Sequence, residues 1–402
     1  MLKLCPSFLV GAFASILLIL GACVATPRHQ LPRHLAEKGV IPGFSGVRAT
    51  AGRVDPGFQR SLKEATQLRA LTAPGKREHA LLALSGGGGN GAFSVGILNG
   101  WSKTGTRPEF DLVTGVSTGA LIAPMAFLGE KYDALLRDEY TTITSDDIFV
   151  EKSLISLIGD DSLADSAPLA KRLQRIVTDE FLDEIAAAHQ QGRRLYVGTT
   201  RLDTQQFVVW DMGAIASSKQ PNRGEFFCQI MLASASVPTF FPPQYIEVEV
   251  DGETYDEMHV DGSVIANVFL HGFVLDLSGL RKDLGLSGFY PITLYTIRNS
   301  QIRSGWEPIP RKILPIAERS VMTLLDSGAV GDLYRIFSLC RRDGIEFRMV
   351  AIPPNFTFQK KEIFDQDDMK SLYKFGFERA QKANLWKREP PGWGTQSPPL
   401  SN

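Results

Sequence analysis

The chain has 402 residues, 44% of them hydrophobic and 22% charged, the balance of a globular protein with one large domain or two modest ones. Forty-three basic residues stand against forty-four acidic ones, a formal net charge of -1, which excludes a whole-molecule field drawing the chain to nucleic acid or an anionic surface. The six histidines are scattered and the four cysteines show no CxxC spacing, so neither a zinc site nor a disulfide framework is expected, and no cofactor is called for.

At the N-terminus Lys3 precedes an apolar run from Phe8 to Leu20, too short to span a bilayer but suited to the hydrophobic region of an export signal. The run ends in Leu20-Gly21-Ala22-Cys23, which resembles a bacterial lipobox. The resemblance implies a signal over 1–22 and a mature chain beginning at an acylated Cys23. Several acyl chains, each buried methylene contributing about 0.8 kcal/mol, would anchor it durably to a membrane. Val24 is not the aspartate associated with inner-membrane retention, so the outer membrane is expected. Residues 23–77 mix prolines, glycines and charges around one helix-like piece, Phe58 to Leu71, and are expected to form a flexible tether with a short helix.

Regular structure is expected from 78 to 390. The run His79 to Leu84 reads as a buried parallel strand, and the glycines after it as a turn into a helix. FDLVTGVSTGALIAPMAFL repeats that order, with a strand at Phe110 to Thr114, a turn at Gly115 to Gly119 and a helix at Ala120 to Leu128. Two such units in tandem imply a parallel sheet. RLYVGTTRL and QFVVWDM read as strands, and FFCQIMLASAS as a helix stopped at Val237-Pro238. Tyr245 to Val250 and Glu253 to Val260 flank Asp251-Gly252, a strong hairpin signal, and the second strand delivers Asp261 at its end. Ile292 to Ile297 and Ile345 to Ile352 are further strands, and Lys312 to Arg342 and Asp367 to Trp386 are helical. The tail 391–402 is expected to be disordered. Cys228 and Cys340 fall in apolar helical stretches and read as packed thiols. The expected architecture is three-layer α/β/α around a mainly parallel sheet.

Gly115-Val116-Ser117-Thr118-Gly119 fits a nucleophile elbow, in which glycines flank a serine because the strained strand-to-helix turn leaves no room for side chains. The helix that follows stabilises negative charge developing near Ser117. Gly86-Gly87-Gly88-Gly89-Asn90-Gly91 also follows a buried strand, and successive backbone N–H groups there are placed to converge on an oxyanion. The same string satisfies G-x-G-x-x-G, but a dinucleotide site needs an acid at the far end of the second strand, whereas Asp111 opens that strand. A base for Ser117 is harder to find. His79 precedes the first strand, His189 lies on a polar helix and His259 sits within a strand. Only His271 follows Asp261, in an apolar stretch where a packed histidine is the better reading. A pair of Ser117 with Asp261 remains.

SGGGGNGAF, GVSTG and DGS, in that order, resemble the three blocks of patatin-like phospholipases, and ASASVPTFFPP resembles the family's segment before the aspartate. The resemblance covers about Leu81 to Asn267. It implies a serine acyl hydrolase of phospholipid or other acyl esters with Ser117 as nucleophile, Asp261 as base, and the amides of Gly87, Gly88 and Gly89 as oxyanion donors. Gly86, Asn90, Gly91, Gly115, Gly119 and Gly262 complete the motifs. Two positions depart from the pattern: Asn90 stands where arginine or lysine is usual, and Ser263 where glycine or alanine is usual. Asn90 supports an alternative, a catalytically silent lipid-binding protein of this fold. The apolar clusters Leu154 to Ile158 and Phe240 to Pro243 either line an acyl groove or belong to the core.

Overall fold

Branched and aromatic runs become strands. In chain order they are β1 (Arg48–Thr50), β2 (His79–Leu84), β3 (Leu112–Gly115), β4 (Val150–Glu151), β5 (Ala164–Asp165), β6 (Arg194–Arg201), β7 (Gln206–Asp211), β8 (Gln244–Val250), β9 (Glu253–Asp261), β10 (Ile292–Gln301) and β11 (Glu346–Ile352). They are seen in a computed structural model that describes residues 28–72, 78–152, 161–270, 274–285, 291–302, 308–359 and 364–393. The expected signal and Cys23, the cluster Leu154 to Ile158, His271 and residues 394–402 lie outside the described residues. β4 and β5 pair with each other, and the other nine strands form one sheet.

Five neighbouring strands, β6, β3, β2, β10 and β11, run parallel. Successive residues of a strand point to opposite faces, and the two faces meet different cores. Leu82, Leu84, Val113 and Ile297 pack with the helices Gly91–Lys103, Thr118–Leu128, Arg223–Ala235 and Gln366–Ala380. Leu81, Ala83, Leu112 and Leu294 pack with Pro56–Thr72 and the second half of Ile313–Asp343. The result is the three-layer α/β/α architecture expected from the alternating pattern.

Strand pairing also explains how two residues far apart in sequence come to one place. β6 uses one edge for β7, from Tyr196 to Arg201. On its other edge β3 occupies Arg194 to Val197, ending with Gly115 beside Val197. β9 occupies the same edge from Thr199 onward, arriving antiparallel with Asp261 beside Thr199. β3 and β9 therefore meet head to head along one edge of β6. Ser117, two residues past the end of β3, and Asp261, the last residue of β9, emerge at the junction.

The N-terminal expectation requires correction, because residues 28–72 are not a flexible tether. β1 extends the sheet beside β7, and Phe58, Leu62 and Ala65 are buried under it. Arg28 binds Asp203 and Asp256, and Arg48 reaches the fully buried Glu257. At the other end the chain is packed at Trp393, whose ring meets that of Phe337 edge-on at 4.9 Å, so residues 391–393 are not a disordered tail. The last helix is also shorter than expected. It ends at Ala380, and the chain turns so that Lys387 bridges to Met349 of β11.

Candidate active site

Ser117 has φ 56° and ψ -129°, a left-handed conformation that costs a non-glycine residue on the order of 1–3 kcal/mol. The turn tolerates it because both flanking glycines admit backbone where a side chain would stand. A Cβ at Gly115 would lie 2.3 Å from the carbonyl oxygen of Gly119, and one at Gly119 would lie 2.4 Å from that of Leu84. The Ser117 amide donates to Ser234 Oγ at 3.0 Å, and Ser234 Oγ donates to the Gly198 carbonyl at 2.7 Å. The elbow is thus clamped from the side by the 223–235 helix and β6. Ser117 then starts the helix Thr118–Leu128, as expected, two residues earlier than Ala120.

Asp261 is 1% exposed. Its amide donates to the Ser236 carbonyl, and its Oδ1 accepts the Ser263 amide at 2.7 Å. Burial pushes the carboxyl up to about 6, the Ser117 hydroxyl beside it being the strongest opposing influence and the Ser263 amide and hydroxyl the next. Oδ2 has no hydrogen-bond partner among the described residues. The Ser117 hydroxyl therefore stands close enough to be felt by the carboxyl without closing a hydrogen bond of ordinary length onto that oxygen. Gly262 lets the chain turn away, since a Cβ there would lie 2.5 Å from the Gly198 carbonyl.

The glycine loop completes the constellation. A Cβ on Gly86 would lie 2.7 Å from Ser263 Oγ and 3.1 Å from Ser117 Cβ, so only glycine fits between the serine and the end of β9. Gly87, at φ 151°, presses on the backbone of Asn299, and Gly88, at φ 56°, faces open space. Among the described residues the amides of Gly87, Gly88 and Gly89 donate to no protein group. Gly91 fits under Thr118 and Tyr140. Asn90 is half-buried at the start of the 91–103 helix and its side chain does not cap it.

Several supports carried no local sequence signal. Asn299, at the end of β10, donates from Nδ2 to the Ser85 carbonyl and accepts from Ser94 Oγ, which fixes the entry to the glycine loop. Asn267 accepts the Gly86 amide on its carbonyl, donates from Nδ2 to Ser263 Oγ and gives its own amide to Asp332. Ser263, whose replacement of a smaller residue looks minor in sequence, touches the Asp261 carboxyl. Two of the histidines weighed as bases, His259 and His79, are engaged elsewhere. His259 Nδ1 is 2.9 Å from Thr199 Oγ1 and its Nε2 is 3.3 Å from Glu257. His79 pairs with Asp111 at the opposite end of β2 from the glycine loop, roughly 17 Å along the strand. That placement also puts the Asp111 carboxylate at the wrong end for a dinucleotide site. Among the described residues no cluster of His, Cys, Asp and Glu is arranged to hold a metal. Cys228 and Cys340 are free and buried, each thiol pushed up to about 12 by burial.

A cavity of about 80 Å³ opens from Ser117 and Gly88 between the 118–128 helix and the helix Ala167–Ile176. Its walls include Leu121, Met125, Ile143, Leu169, Leu173 and Phe241. One ion pair interrupts the apolar lining, Arg172 holding Glu139 through two bonds of 3.0 Å.

Fold and turn together define a three-layer α/β protein with a serine elbow at the carboxyl ends of its parallel strands. Residues 82–274, slightly less than half of the chain, match the family described as patatin-like phospholipase. No curated protein matches the chain. Among solved structures it is similar to VipD from Legionella pneumophila, at 10% identity and a TM-score of 0.33, with 75% of this chain and 67% of that one covered. It is similar also to human GIVD cytosolic phospholipase A2, at 11% identity and a TM-score of 0.29, covering 78% of this chain and 53% of that one. A third is ExoU, solved with SpcU from the type III secretion system of Pseudomonas aeruginosa, at 15% identity, a TM-score of 0.27, and coverage of 76% and 52%. The chain thus spans about half the length of the last two.

Proposed function

We propose that the protein is a lipid acyl hydrolase that cleaves carboxylic esters, phospholipids foremost, with Ser117 and Asp261 as a two-residue catalytic unit. The observation that carries this reading is a buried carboxyl, raised to about 6 and with one oxygen unpartnered, beside the hydroxyl of a strained elbow serine. Near neutral pH such a carboxylate is basic enough to accept a proton and dry enough to hold it. Ser117 Oγ attacks the ester carbonyl while its proton passes to Asp261 Oδ2. The carbonyl electron pair moves onto oxygen, which the free amides of Gly87, Gly88 and Gly89 receive. Collapse expels the alcohol, protonated by Asp261, and leaves an acyl-Ser117. Water then attacks, its proton going to Asp261 and on to Ser117 as the fatty acid departs. The apolar cavity beside Ser117 suits an acyl chain.

These roles make a sharp test. A fluorophosphonate probe should label the wild-type chain at Ser117 and leave Ser117→Ala unlabelled, and phospholipid hydrolysis should fall to background in both Ser117→Ala and Asp261→Asn. Full hydrolysis by Ser117→Ala would refute the assignment. An unlabelled, folded wild-type protein would favour the silent lipid-binding alternative. On the sequence evidence at Leu20 to Cys23, we also propose an exported protein, acylated at Cys23 and held at the outer membrane; mass spectrometry of the mature N-terminus tests this directly.

A further inference from the structure

The helix Ile313–Asp343 is too long for the sheet it serves. It has 31 residues and is followed by the seven residues of β11, so a rod of about 46 Å stands against a strand of about 23 Å. Its second half supplies the contacts, with Ala329, Leu333, Ile336, Phe337 and Cys340 buried. Its first half overshoots. Because β10 and β11 are parallel, the helix begins at the carboxyl ends of the strands, the same end at which Ser117 and the glycine loop leave the sheet. Asp332, which accepts the Asn267 amide, marks where the helix passes the site. Leu324 and Ile313 then lie roughly 12 and 28 Å further out along its axis.

That projecting half has an apolar outer stripe. Ile313 is 85% exposed, Leu324 72% and Ile316 50%, and with the exposed Ala317 they fall within an arc of roughly 100°. Ser320 falls in the same arc, but its hydroxyl donates back to the Ile316 carbonyl at 2.7 Å, which removes its hydrogen from the outer face. Arg311 and Lys312, both exposed, precede the stripe. Among the described residues no helix is long and apolar enough to cross a membrane.

We infer that this half-helix is a docking post that lies in the interface of an anionic lipid bilayer and brings the Ser117 face to the surface where its substrate resides. The inference rests on the reading of the site as a lipid ester hydrolase for its purpose, but the binding it asserts is independent of turnover. Two features select lipid over a protein surface: the stripe rises from the site's own face, and cations adjoin it. Insertion of Ile313, Ile316 and Leu324 among acyl chains, with Arg311 and Lys312 among anionic headgroups, is the arrangement of an interfacial amphipathic helix.

The test is flotation of the full chain, carrying Cys23→Ser so that no acyl group is attached, with vesicles of phosphatidylcholine and phosphatidylglycerol. Combined Ile313→Asp and Leu324→Asp should weaken binding at least ten-fold, since two apolar contacts become two charges facing an anionic surface. Combined Arg311→Ser and Lys312→Ser should weaken it roughly thirty-fold on anionic vesicles and little on phosphatidylcholine alone. Thermal melting confirms that the variants fold, and hydrolysis of a soluble short-chain ester should be unchanged while hydrolysis of vesicle phospholipid falls. Flotation unaltered by the aspartates overturns the inference. So does a stripe-dependent dimer in sedimentation with unaltered flotation, which would assign the stripe to a second copy of the chain. Stripe-dependent flotation in a protein without esterase activity upholds the docking and overturns the hydrolase reading instead.

Discussion

In the proposed mechanism the proton affinity of Asp261 sets the pH at which Ser117 is activated. With the carboxyl raised to about 6 by burial, kcat/KM for an acyl ester should climb with pH through about 6 and level off above it, because only the ionised form accepts a proton. The Ser263 hydroxyl holds that value down, so Ser263→Ala should move the acid limb to higher pH while leaving the plateau nearly intact. A limb that does not move would remove Ser263 from the site's electrostatics. The sign for stability is the reverse of the sign for activity. Between the ordinary 3.8 and about 6 the folded chain keeps a proton that the unfolded chain has lost. This group's contribution to stability is therefore full below 3.8 and declines as pH rises through about 6. A buried carboxyl of raised proton affinity is thus kept here at the expense of stability at neutral pH, which packing elsewhere offsets.

Among elements, the two strand-turn-helix units do the positioning, and their glycines are sites of contact as well as of bending. Gly87 combines φ 151° with a hypothetical Cβ only 2.6 Å from the carbonyl oxygen and Cβ of Asn299. Gly87→Ala must shift the loop away from Asn299 and with it the three free amides. Turnover should fall on the order of 100-fold, as for loss of an oxyanion donor, with labelling of Ser117 slowed and the melting temperature lowered by about a few degrees by the strain at this φ. Unaltered turnover would show that the loop does not receive the oxyanion. Both units were legible in the sequence, because an apolar run ending in glycines has few other readings. The residues that brace them were not. Ser234, Asn267 and Asn299 are small polar residues in helices, loops and strand ends, and nothing in their own neighbourhood distinguishes a brace from a surface side chain. Only the approach of Ser117, Gly86 and Ser85 gives them their partners.

For the whole molecule, the N-terminal segment is the largest departure from expectation. Glu257 is held well below the usual carboxylate range, against strong burial, by His259 and Arg48, and Arg201 also bonds it. Arg48 thereby ties β1 to the hairpin that carries Asp261. Arg48→Ala leaves Glu257 buried with one cation fewer and should cost about 3 kcal/mol in urea denaturation at pH 7. The loss should shrink at low pH as Glu257 becomes protonated. A change under about 0.5 kcal/mol would return the segment to the status of a loose leader. Prolines, glycines and charges made residues 28–50 look unstructured, because a three-residue strand has no periodicity and a buried ion pair spanning 209 residues leaves no local trace. By itself the sequence determined the layered α/β architecture, the serine turn, the glycine loop and the strand that ends in Asp261, since each depends on apolar periodicity and backbone sterics that act within a dozen residues. The tertiary structure alone decided that β3 and β9 share one edge of β6, that Asp261 is dry and half unpartnered, and that the 313–343 helix outruns its sheet. Those outcomes depend on which distant segments exclude water from one another, and that is a property of the assembled chain.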